Sequence, residues 1–302
     1  MAAPPAEAVA DAVTAGFQSA RGSQWREAAF KYGLIAAMAV ALITLGVLLV
    51  DIFADGIGQF SLNFLTEVPS RISPADSGIG AAIVGTLWLM GICAAFIIPV
   101  GIASAIYLEE YANRDRWHNR LIETNIQNLA AVPSIVYGIL GLAFLVRGPL
   151  GLGNVLLAGG LTLALLVLPV VIVAAREAIR AVPPSIREGS MALGATRWQT
   201  ISKQVVPAAV PGIATGTILA LSRAIGEAAP LLLLGGLVFV KFDPNGLLSG
   251  FTTMPIQIFD WASRSQAAFQ QVAAAASILL LFLVIGLNGL AIIIRNRYTT
   301  PR

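Results

Sequence analysis

An arginine and a glutamate four residues apart interrupt a long apolar stretch of this chain. Arg223 and Glu227 lie within the run Ala208–Val238, where most other side chains are apolar. A charge near the centre of a bilayer costs about 3 kcal/mol on insertion scales, so two charges there need compensation. Residues four apart share one face of a helix and can neutralise each other. The pair predicts either an ion pair that only fixes helix packing or a polar route through the membrane.

A polar route of this kind would suit an oxyanion. The planar guanidinium group of Arg223 matches the geometry of phosphate oxygens. The carboxylate of Glu227, one turn away, would weaken the binding of an anion, and weak binding is what release from a transport site requires.

A proline within another apolar run marks a second group of polar candidates. Pro133 predicts a kink, which either exposes carbonyl groups to a pore beside Ser134 or is a packing feature that neighbouring helices satisfy. Tyr137 lies one turn later on the same face. Its hydroxyl is expected to donate either to a substrate or to another helix.

The chain lacks the residues that an enzyme or a metal site would need. A phosphate-binding loop has the pattern Gly-x4-Gly-Lys-Ser/Thr, and none of the lysines has that context. The single histidine, His118, and the single cysteine, Cys93, provide no catalytic set and no metal cluster. We therefore expect no catalytic activity, no cofactor and no metal.

The composition is that of a membrane protein. The 302 residues are 57% hydrophobic and 12% charged, whereas a soluble domain is about a quarter charged. A helix needs about 20 apolar residues to cross a bilayer core of about 30 Å. The sequence thus predicts an all-α, polytopic protein with six transmembrane helices, at Tyr32–Phe53, Ile79–Tyr107, Leu121–Val146, Asn154–Ala175, Ala208–Val238 and Val272–Ile294.

The distribution of basic residues predicts the orientation. Fourteen of the nineteen Lys and Arg residues fall in segments 1–32, 108–120, 176–207 and 295–302. Basic residues are enriched in cytoplasmic loops, so both termini and the 176–207 loop are expected in the cytoplasm. This bias also explains the basic character without a nucleic-acid partner. Trp261, in a loop on the other side, is expected at the membrane interface.

The loop at 176–207 predicts two short helices joined at a glycine. Ser185-Ile-Arg-Glu188 has the spacing of a capping box that begins the first helix, and Gly194 supplies the positive φ that ends it. Thr196-Arg-Trp-Gln199 is a second box, and Pro207 is expected to close the second helix. Such a self-capped element between membrane spans indicates contact with a partner outside the membrane.

The order of Glu188, Gly194 and Pro207 resembles the EAA loop of ABC importer permeases. Gly189 and Ser190 stand where that family has two alanines. The resemblance implies the type I (MetI-like) permease fold, with residues 185–207 seated in a groove of a cytoplasmic ATPase. The residues that it implies for ATPase coupling are Glu188, Gly189, Ser190, Ala192, Gly194, Ala195 and Trp198.

Two further stretches resemble phosphate-specific ABC importer permeases. They are Ala131-Val-Pro-Ser-Ile-Val-Tyr-Gly-Ile-Leu-Gly-Leu142 and Ser222-Arg-Ala-Ile-Gly-Glu-Ala-Ala-Pro-Leu-Leu232. The second stretch is more similar to the PstA-type subunit of that group than to its PstC-type partner. By this resemblance Arg223 and Glu227 line a phosphate path, and the further candidates for this path are Ser222, Tyr137 and Ser134.

The resemblance implies one half of the translocation pathway of an ATP-driven phosphate importer in a bacterial plasma (inner) membrane. The expected partners are a PstC-type permease, two copies of a PstB-type ATPase and an extracytoplasmic PstS-type phosphate-binding protein. The expected divisions of the chain are a cytoplasmic segment 1–31, a transmembrane permease domain 32–294 and a cytoplasmic tail 295–302.

Two alternatives remain open at this level. A permease for another oxyanion, such as molybdate or sulfate, would share the loop at 176–207. A secondary transporter or a membrane scaffold would have no ATPase.

Overall fold

A computed structural model describes most of the chain. It covers the backbone of residues 6–70, 72–113, 116–236, 240, 242 and 244–298, and the side chains of these residues except 6–24, 294 and 298. The chain separates into a unit of residues 1–54 and a larger unit of residues 55–302. Within the described residues all regular structure is helical, so the prediction of an all-α protein is confirmed.

The described residues form long helices joined by short ones. The α-helices are α1 (Ala6–Gly56), α2 (Leu62–Thr66), α3 (Gly80–Ile106), α4 (Trp117–Ala130), α5 (Ser134–Gly141), α6 (Leu156–Arg180), α7 (Pro184–Ala192), α8 (Arg197–Thr200), α9 (Val206–Ile225), α10 (Ala229–Leu233), α11 (Met254–Ala262) and α12 (Ala267–Tyr298). Three π-helical turns extend or join them, at Tyr107–Tyr111 after α3, Leu142–Val146 after α5 and Ile201–Val205 between α8 and α9.

In the described part of the chain, five helical segments are long and apolar enough to cross a membrane. They are Trp25–Gln59, Gly80–Tyr111, Leu156–Arg180, Arg197–Ile225 and Ala267–Arg297. The predicted third span is instead a pair of helices, α4 and α5, bent by 103° at a short break. Counting this pair as one span gives the six that the sequence predicts.

The bend between α4 and α5 follows from Pro133. Proline has no N–H to continue the hydrogen bonding of α4, and its ring disfavours a helical conformation for Val132 before it. Pro133 therefore takes the N-cap position of α5. The kink predicted at this residue is a bend of 103° between two separate helices.

Among the other helices, two differ most from their predicted limits. The first helix begins at Ala6, well before the predicted start at Tyr32. The predicted fifth span was expected to continue to Val238, but α9 ends at Ile225 and the chain turns before the short α10. Arg223 accordingly lies in the last turn of a helix and not at its middle.

Helices α3, α6 and α9 pack closely at small residues. A Cβ added to Gly216 of α9 would lie 2.5 Å from the Cβ of Ala174 in α6. A Cβ added to Gly101 of α3 would lie 2.8 Å from Val171 in the same helix α6. Small residues at such contacts let helix backbones approach closely, which is how helices associate in a membrane. Cys93 of α3 is fully buried in the resulting core.

A second cluster holds α11 and α12 against α2 and the start of α3. Its largest member is Trp261, which is fully buried and lies in the same cluster as Phe64, Ile79 and Phe269. The expectation that Trp261 lies at the membrane interface is therefore wrong. The indole ring is large and apolar enough to fill the space between α11 and its neighbours.

Candidate functional site

Arg223 and Glu227 form an ion pair at the end of α9. The Nε atom of Arg223 lies 3.7 Å from Oε1 of Glu227, which is longer than a hydrogen bond. The side chain of Arg223 is 58% exposed and that of Glu227 is 20% exposed. The guanidinium group therefore points out of this chain while the carboxylate is only loosely paired with it.

The backbone at the end of α9 favours a cation. The N–H of Gly226 donates to the carbonyl of Arg223 (3.1 Å), and the N–H of Glu227 donates to that of Ala224 (3.2 Å). The C-terminal end of a helix carries partial negative charge, which a cation stabilises and a carboxylate opposes. The positive charge of Arg223 offsets both the partial negative charge of the helix end and the charge of Glu227. This explains why the pair forms across the end of the helix.

Ser222 does not share the exposed face of Arg223. Its side chain is buried, and its hydroxyl has no hydrogen-bond partner among the described residues. Successive residues of an α-helix point about 100° apart, since there are 3.6 residues per turn. The structure thus places Ser222 toward the neighbouring helices and Arg223 away from them.

The segment that contains Ser134 and Tyr137 packs next to the end of α9. A Cβ added to Gly138 in α5 would lie 2.7 Å from the Cα of Pro230 in α10, which follows Glu227 by three residues. The two stretches that the sequence singles out are therefore neighbours in space. Ser134 is half-buried at the first position of α5.

Tyr137 spans the bend between α4 and α5. Its side chain is buried, and its hydroxyl donates to the carbonyl of Leu129 in the last turn of α4 (2.9 Å). The last carbonyls of a helix lack partners within it, so this hydrogen bond stabilises the bend. The hydroxyl is thus engaged within the protein, and a contact of Tyr137 with a substrate stays a prediction.

The polar loop forms a helical hairpin, residues 184–200, from α7 and α8. Gly194 has φ +85° between the two helices, as predicted. At the start of α8 the N–H of Gln199 donates to Thr196 Oγ1 and the N–H of Thr196 donates to Gln199 Oε1, so the second capping box is confirmed. The hydroxyls of Ser190 and Thr200 are 3.0 Å apart and join α7 to α8.

Two predicted boundaries of the hairpin are wrong. The helix α7 begins at Pro184 with Pro183 as its N-cap, so Ser185 lies inside the first turn and does not cap the helix. Proline is well suited to the first helical position because its φ is preset and its missing N–H is not needed there. Pro207 does not close the second helix, because a π-helical turn at Ile201–Val205 joins α8 to α9.

The hairpin presents exposed apolar side chains. Leu193 is 92% exposed and Trp198 is 61% exposed, and Met191 is also exposed. Of the residues assigned to coupling by resemblance, Glu188, Gly189, Ala192, Gly194 and Trp198 are exposed, whereas Ser190 and Ala195 are half-buried. Neighbouring exposed apolar groups on a short helical hairpin indicate a surface for a protein partner.

A network of ion pairs lies beside the hairpin. Arg180 of α6 donates through Nε and Nη2 to the two carboxylate oxygens of Glu109 (3.0 Å each). Arg176, which is buried, donates to Glu123 of α4 (3.0 Å) and lies 3.6 Å from Glu109. The sequence suggests that Arg176 and Arg180 either form an exit for an anion or are ordinary basic residues at a helix end. Their observed partners are carboxylates from α4, from the π-helical turn after α3 and from α6 itself, where Arg180 donates to Glu177 (3.0 Å).

The hairpin itself is joined to the same π-helical turn. Arg187 of α7 donates to Oε1 of Glu110 through Nε (3.0 Å) and Nη2 (2.8 Å). Arg197 donates to the carbonyl of Glu110, and its guanidinium group lies 5.0 Å from the ring centre of Tyr111. Sequence reasoning missed Glu109 and Glu110. The available signal was two adjacent carboxylates directly after an apolar span, since buried carboxylates need a cationic partner.

The described residues contain no group of three or more His, Cys, Asp and Glu side chains arranged to hold a metal ion.

Comparisons with known proteins agree on one class. Residues 97–299 match the family described as "Binding-protein-dependent transport system inner membrane component". The probable ABC transporter permease protein YqgI of Bacillus subtilis is 36% identical over 228 residues, which is 76% of this chain and 76% of that protein. The phosphate transport system permease protein PstA of Yersinia pestis is 33% identical over 273 residues, which is 89% of this chain and 91% of that protein.

A solved structure shares the fold. A chain of a bacterial alginate ABC transporter, crystallised in complex with an alginate pentasaccharide-bound periplasmic protein, superposes with a TM-score of 0.63 at 19% identity. The match covers 92% of this chain and 96% of that one. The MetI-like fold predicted from the EAA loop is confirmed.

The family match covers more than half of the chain, and both relatives are more than 30% identical over most of their length. Proteins of this class are multi-pass membrane subunits of transporters and not enzymes. The chain belongs to the family of binding-protein-dependent transport system inner membrane components, the permease subunits of ABC importers.

Proposed function

We propose that this chain is the PstA-type permease subunit of an ATP-driven importer of inorganic phosphate. Support comes from the relative named PstA in Yersinia pestis, which aligns over nearly its whole length. In this proposal the chain forms half of the translocation pathway, and a PstC-type permease forms the other half. Two copies of a PstB-type ATPase and a PstS-type binding protein complete the importer.

The observation that carries the substrate assignment is the exposed, loosely paired Arg223. A guanidinium group held only by a carboxylate 3.7 Å away retains donors that can turn toward an oxyanion. An exposed charge on a membrane span is costly unless it faces a polar cavity or a partner protein. Arg223 therefore faces the pathway between the two permease subunits, and Glu227 limits how tightly phosphate is held.

The hairpin is the proposed contact with the ATPase. Its exposed residues Leu193 and Trp198 would enter a groove of the ATPase, and Glu188 would make a polar contact at the rim. ATP binding would close the ATPase dimer and move the hairpin, and the hairpin would in turn move the spans. The proposal places the hairpin and both termini in the cytoplasm, in agreement with the enrichment of basic residues on that side.

Transport competition tests the substrate. Cells that express this chain with its three partner subunits, and lack other phosphate uptake, should accumulate radiolabelled orthophosphate. We expect that a hundredfold excess of unlabelled sulfate or molybdate leaves uptake nearly unchanged, while unlabelled phosphate abolishes the accumulation of label. At neutral pH phosphate retains a hydroxyl that can donate to a carboxylate such as Glu227, whereas sulfate and molybdate are fully deprotonated and can only accept. Inhibition by sulfate or molybdate at such an excess would show that the chain transports another oxyanion. Uptake in cells that lack the ATPase would show that the transport is not driven by ATP and would contradict the assignment to an ATP-driven importer.

A further inference from the structure

The carboxylate of Glu110 is buried at the point where the hairpin meets the spans. Glu110 is 9% exposed and lies in the π-helical turn Tyr107–Tyr111, which continues α3. A buried carboxylate is stable only when cations and hydrogen-bond donors surround it. At this site the described cationic partner comes from the hairpin, through Arg187 of α7.

Arg187 ties three segments together through one guanidinium group. Besides its two hydrogen bonds to Glu110, Nη1 donates to the carbonyl of Val182 (2.6 Å) and Nη2 donates to that of Ile179 (2.9 Å). Ile179 lies in the last turn of α6, and Val182 lies in the connection between α6 and α7. The five N–H donors of arginine have a fixed planar arrangement, so these bonds fix the position of α7 relative to α3 and α6.

The second helix of the hairpin reaches the same turn. Arg197 of α8 donates to the main-chain carbonyl of Glu110 and stacks on Tyr111. The side chain of Glu110 thus accepts hydrogen bonds from α7, and its main-chain carbonyl accepts one from α8. A displacement of the hairpin cannot leave this turn behind unless several charge-assisted hydrogen bonds break.

We propose that Glu110 and Arg187 form a latch that transmits movement of the hairpin to the ends of α3 and α6. Both are positioning residues, since they act through the helices and do not touch the substrate or the nucleotide. With the latch closed, the hairpin, the π-helical turn and the end of α6 move as one body. With the latch weakened, the ATPase can move the hairpin while the ends of α3 and α6 stay in place, so ATP is hydrolysed with less transport. This inference rests on the proposed function.

The chain offers a matched control beside the latch. Arg180 and Glu109 form a pair of the same chemical type, also with two hydrogen bonds of 3.0 Å. Glu109 is adjacent to Glu110, but Arg180 belongs to α6 and not to the hairpin. Weakening this pair changes a contact between spans and leaves the hairpin attached.

The first experiment compares Arg187→Lys and Glu110→Gln with Arg180→Lys and Glu109→Gln in the complete importer, reconstituted in liposomes. Radiolabelled orthophosphate uptake and ATP hydrolysis are measured together, per assembled complex. Lysine keeps the charge but loses the planar arrangement of donors. The loss of one charge-assisted hydrogen bond changes the closed-to-open ratio of the latch about tenfold. Uptake per ATP hydrolysed follows the closed fraction, so we expect it to fall by up to about that factor in the latch variants and to stay near the wild-type value in the control variants.

A double variant sharpens the result. If the two residues act through each other, Glu110→Gln with Arg187→Lys loses no more coupling than the more severe single variant. An unchanged uptake-to-hydrolysis ratio in both single variants overturns the latch, and so does an equal loss in the control variants. If the wild-type complex itself shows no ATP-dependent uptake, the proposed function fails, and this result is distinguishable from a failure of the latch.

Amide hydrogen exchange tests the latch without transport. In Glu110→Gln the amides of α7 should exchange about tenfold faster, while those of α9 remain protected. In Glu109→Gln the amides of α7 should remain at the wild-type rate. Faster exchange throughout the chain would mean a folding defect and would overturn the assignment of a local latch, as would unchanged exchange in α7.

Discussion

The loose ion pair at the end of α9 combines two requirements of a transport site. Arg223 lies where the helix end favours a cation, and Glu227 lies close enough to lower the net charge without holding the guanidinium group in a hydrogen bond. A passing oxyanion could replace the carboxylate as the partner of Arg223. A pair that only fixed helix packing would be expected to be hydrogen-bonded with both side chains largely shielded, as Arg187 (20% exposed) and Glu110 (10% exposed) are.

Exchanging the two charges tests whether their order matters. In the double substitution Arg223→Glu with Glu227→Arg, the ion pair can still form, but a carboxylate takes the exposed position at the helix end. We expect orthophosphate uptake to fall at least about tenfold, because an anion loses a charge-assisted hydrogen bond worth about 1.5–3 kcal/mol. The measurement is radiolabelled uptake, normalised to the amount of assembled complex in the membrane.

Full uptake by the exchanged protein would mean that the pair is a structural clamp. Arg223→Lys provides the companion measurement, since it preserves the charge at that position. Its uptake should lie between those of the wild type and the exchanged protein.

Local chemistry explains which residue-level predictions succeed. The capping box at Thr196-Arg-Trp-Gln199 and the positive φ of Gly194 depend on a few neighbouring residues, and both are found in the structure. The box at Ser185 fails although its spacing is right, because Pro183 and Pro184 set the start of the helix first. The residues of the latch lie 77 positions apart in the sequence, and no local pattern relates them.

At the scale of elements, the hairpin depends on one backbone conformation. Gly194 has φ +85°, and a Cβ added there would meet nothing within 4 Å. Any cost of replacing Gly194 therefore comes from the backbone and not from crowding. Gly189 lies within α7, where an added Cβ also meets nothing within 4 Å. The two positions provide the same chemical change in two backbone contexts.

Alanine substitutions at these two glycines should have opposite effects on the hairpin. A non-glycine residue in the left-handed region costs about 1–2 kcal/mol, so Gly194→Ala should destabilise the hairpin. Alanine favours an α-helix over glycine by about 0.5–1 kcal/mol, so Gly189→Ala should stabilise it. Amide exchange over residues 184–200 provides the measurement. Equal effects of the two substitutions would show that the turn at Gly194 is not needed.

Hydropathy predicts the third and fifth spans incompletely, because it does not show where a helix breaks. Hydropathy predicts a third span at Leu121–Val146 because α4 and α5 are apolar enough when taken together, but it does not indicate the direction of the chain after Pro133. The predicted fifth span is too long for a similar reason. The apolar residues of α10 follow those of α9, although Gly226 and Ala228 lie in a break between the two helices.

For the whole molecule, the packing of α3, α6 and α9 joins the proposed pathway to the latch. Arg223, which we propose to line the pathway, lies at one end of α9, and at its other end α9 continues from the hairpin through the π-helical turn Ile201–Val205. Helix α6 ends beside the latch and packs along α9 at Ala174 and Gly216. Because these helices are in close contact, a movement at the latch end of α6 and α9 can displace the Arg223 end of α9 without bending either helix.

The contact between α6 and α9 can be tested by moving one methyl group across it. The Cβ of Gly216→Ala would lie 2.5 Å from that of Ala174, so the helices must separate. Overpacking of this kind costs about 1–3 kcal/mol, and the thermal unfolding midpoint of the purified chain should fall. Adding Ala174→Gly should restore much of the loss. Gly286→Ala in α12, where an added Cβ meets nothing within 4 Å, should not lower the midpoint.

Fold class and approximate span positions could be predicted from the sequence, because they depend on the number of consecutive apolar residues. The family could be predicted because Glu188, Gly194 and Pro207 retain a recognisable order. The ion pairs between α3, α4, α6 and the hairpin could not be predicted, since their partners meet only after the helices have packed. The burial of Trp261 has the same cause: its position relative to α2 and α12 depends on the fold.

The buried position of Cys93 has a practical consequence. It is the single cysteine of the chain, and its thiol lies in the core of α3 without exposed surface. A maleimide probe should therefore leave the wild-type protein unmodified and attach only to a cysteine introduced at an exposed position such as Leu193. A fluorescent or spin probe at that position can then report how the hairpin moves during the transport cycle. Every native residue except the labelled one stays in place.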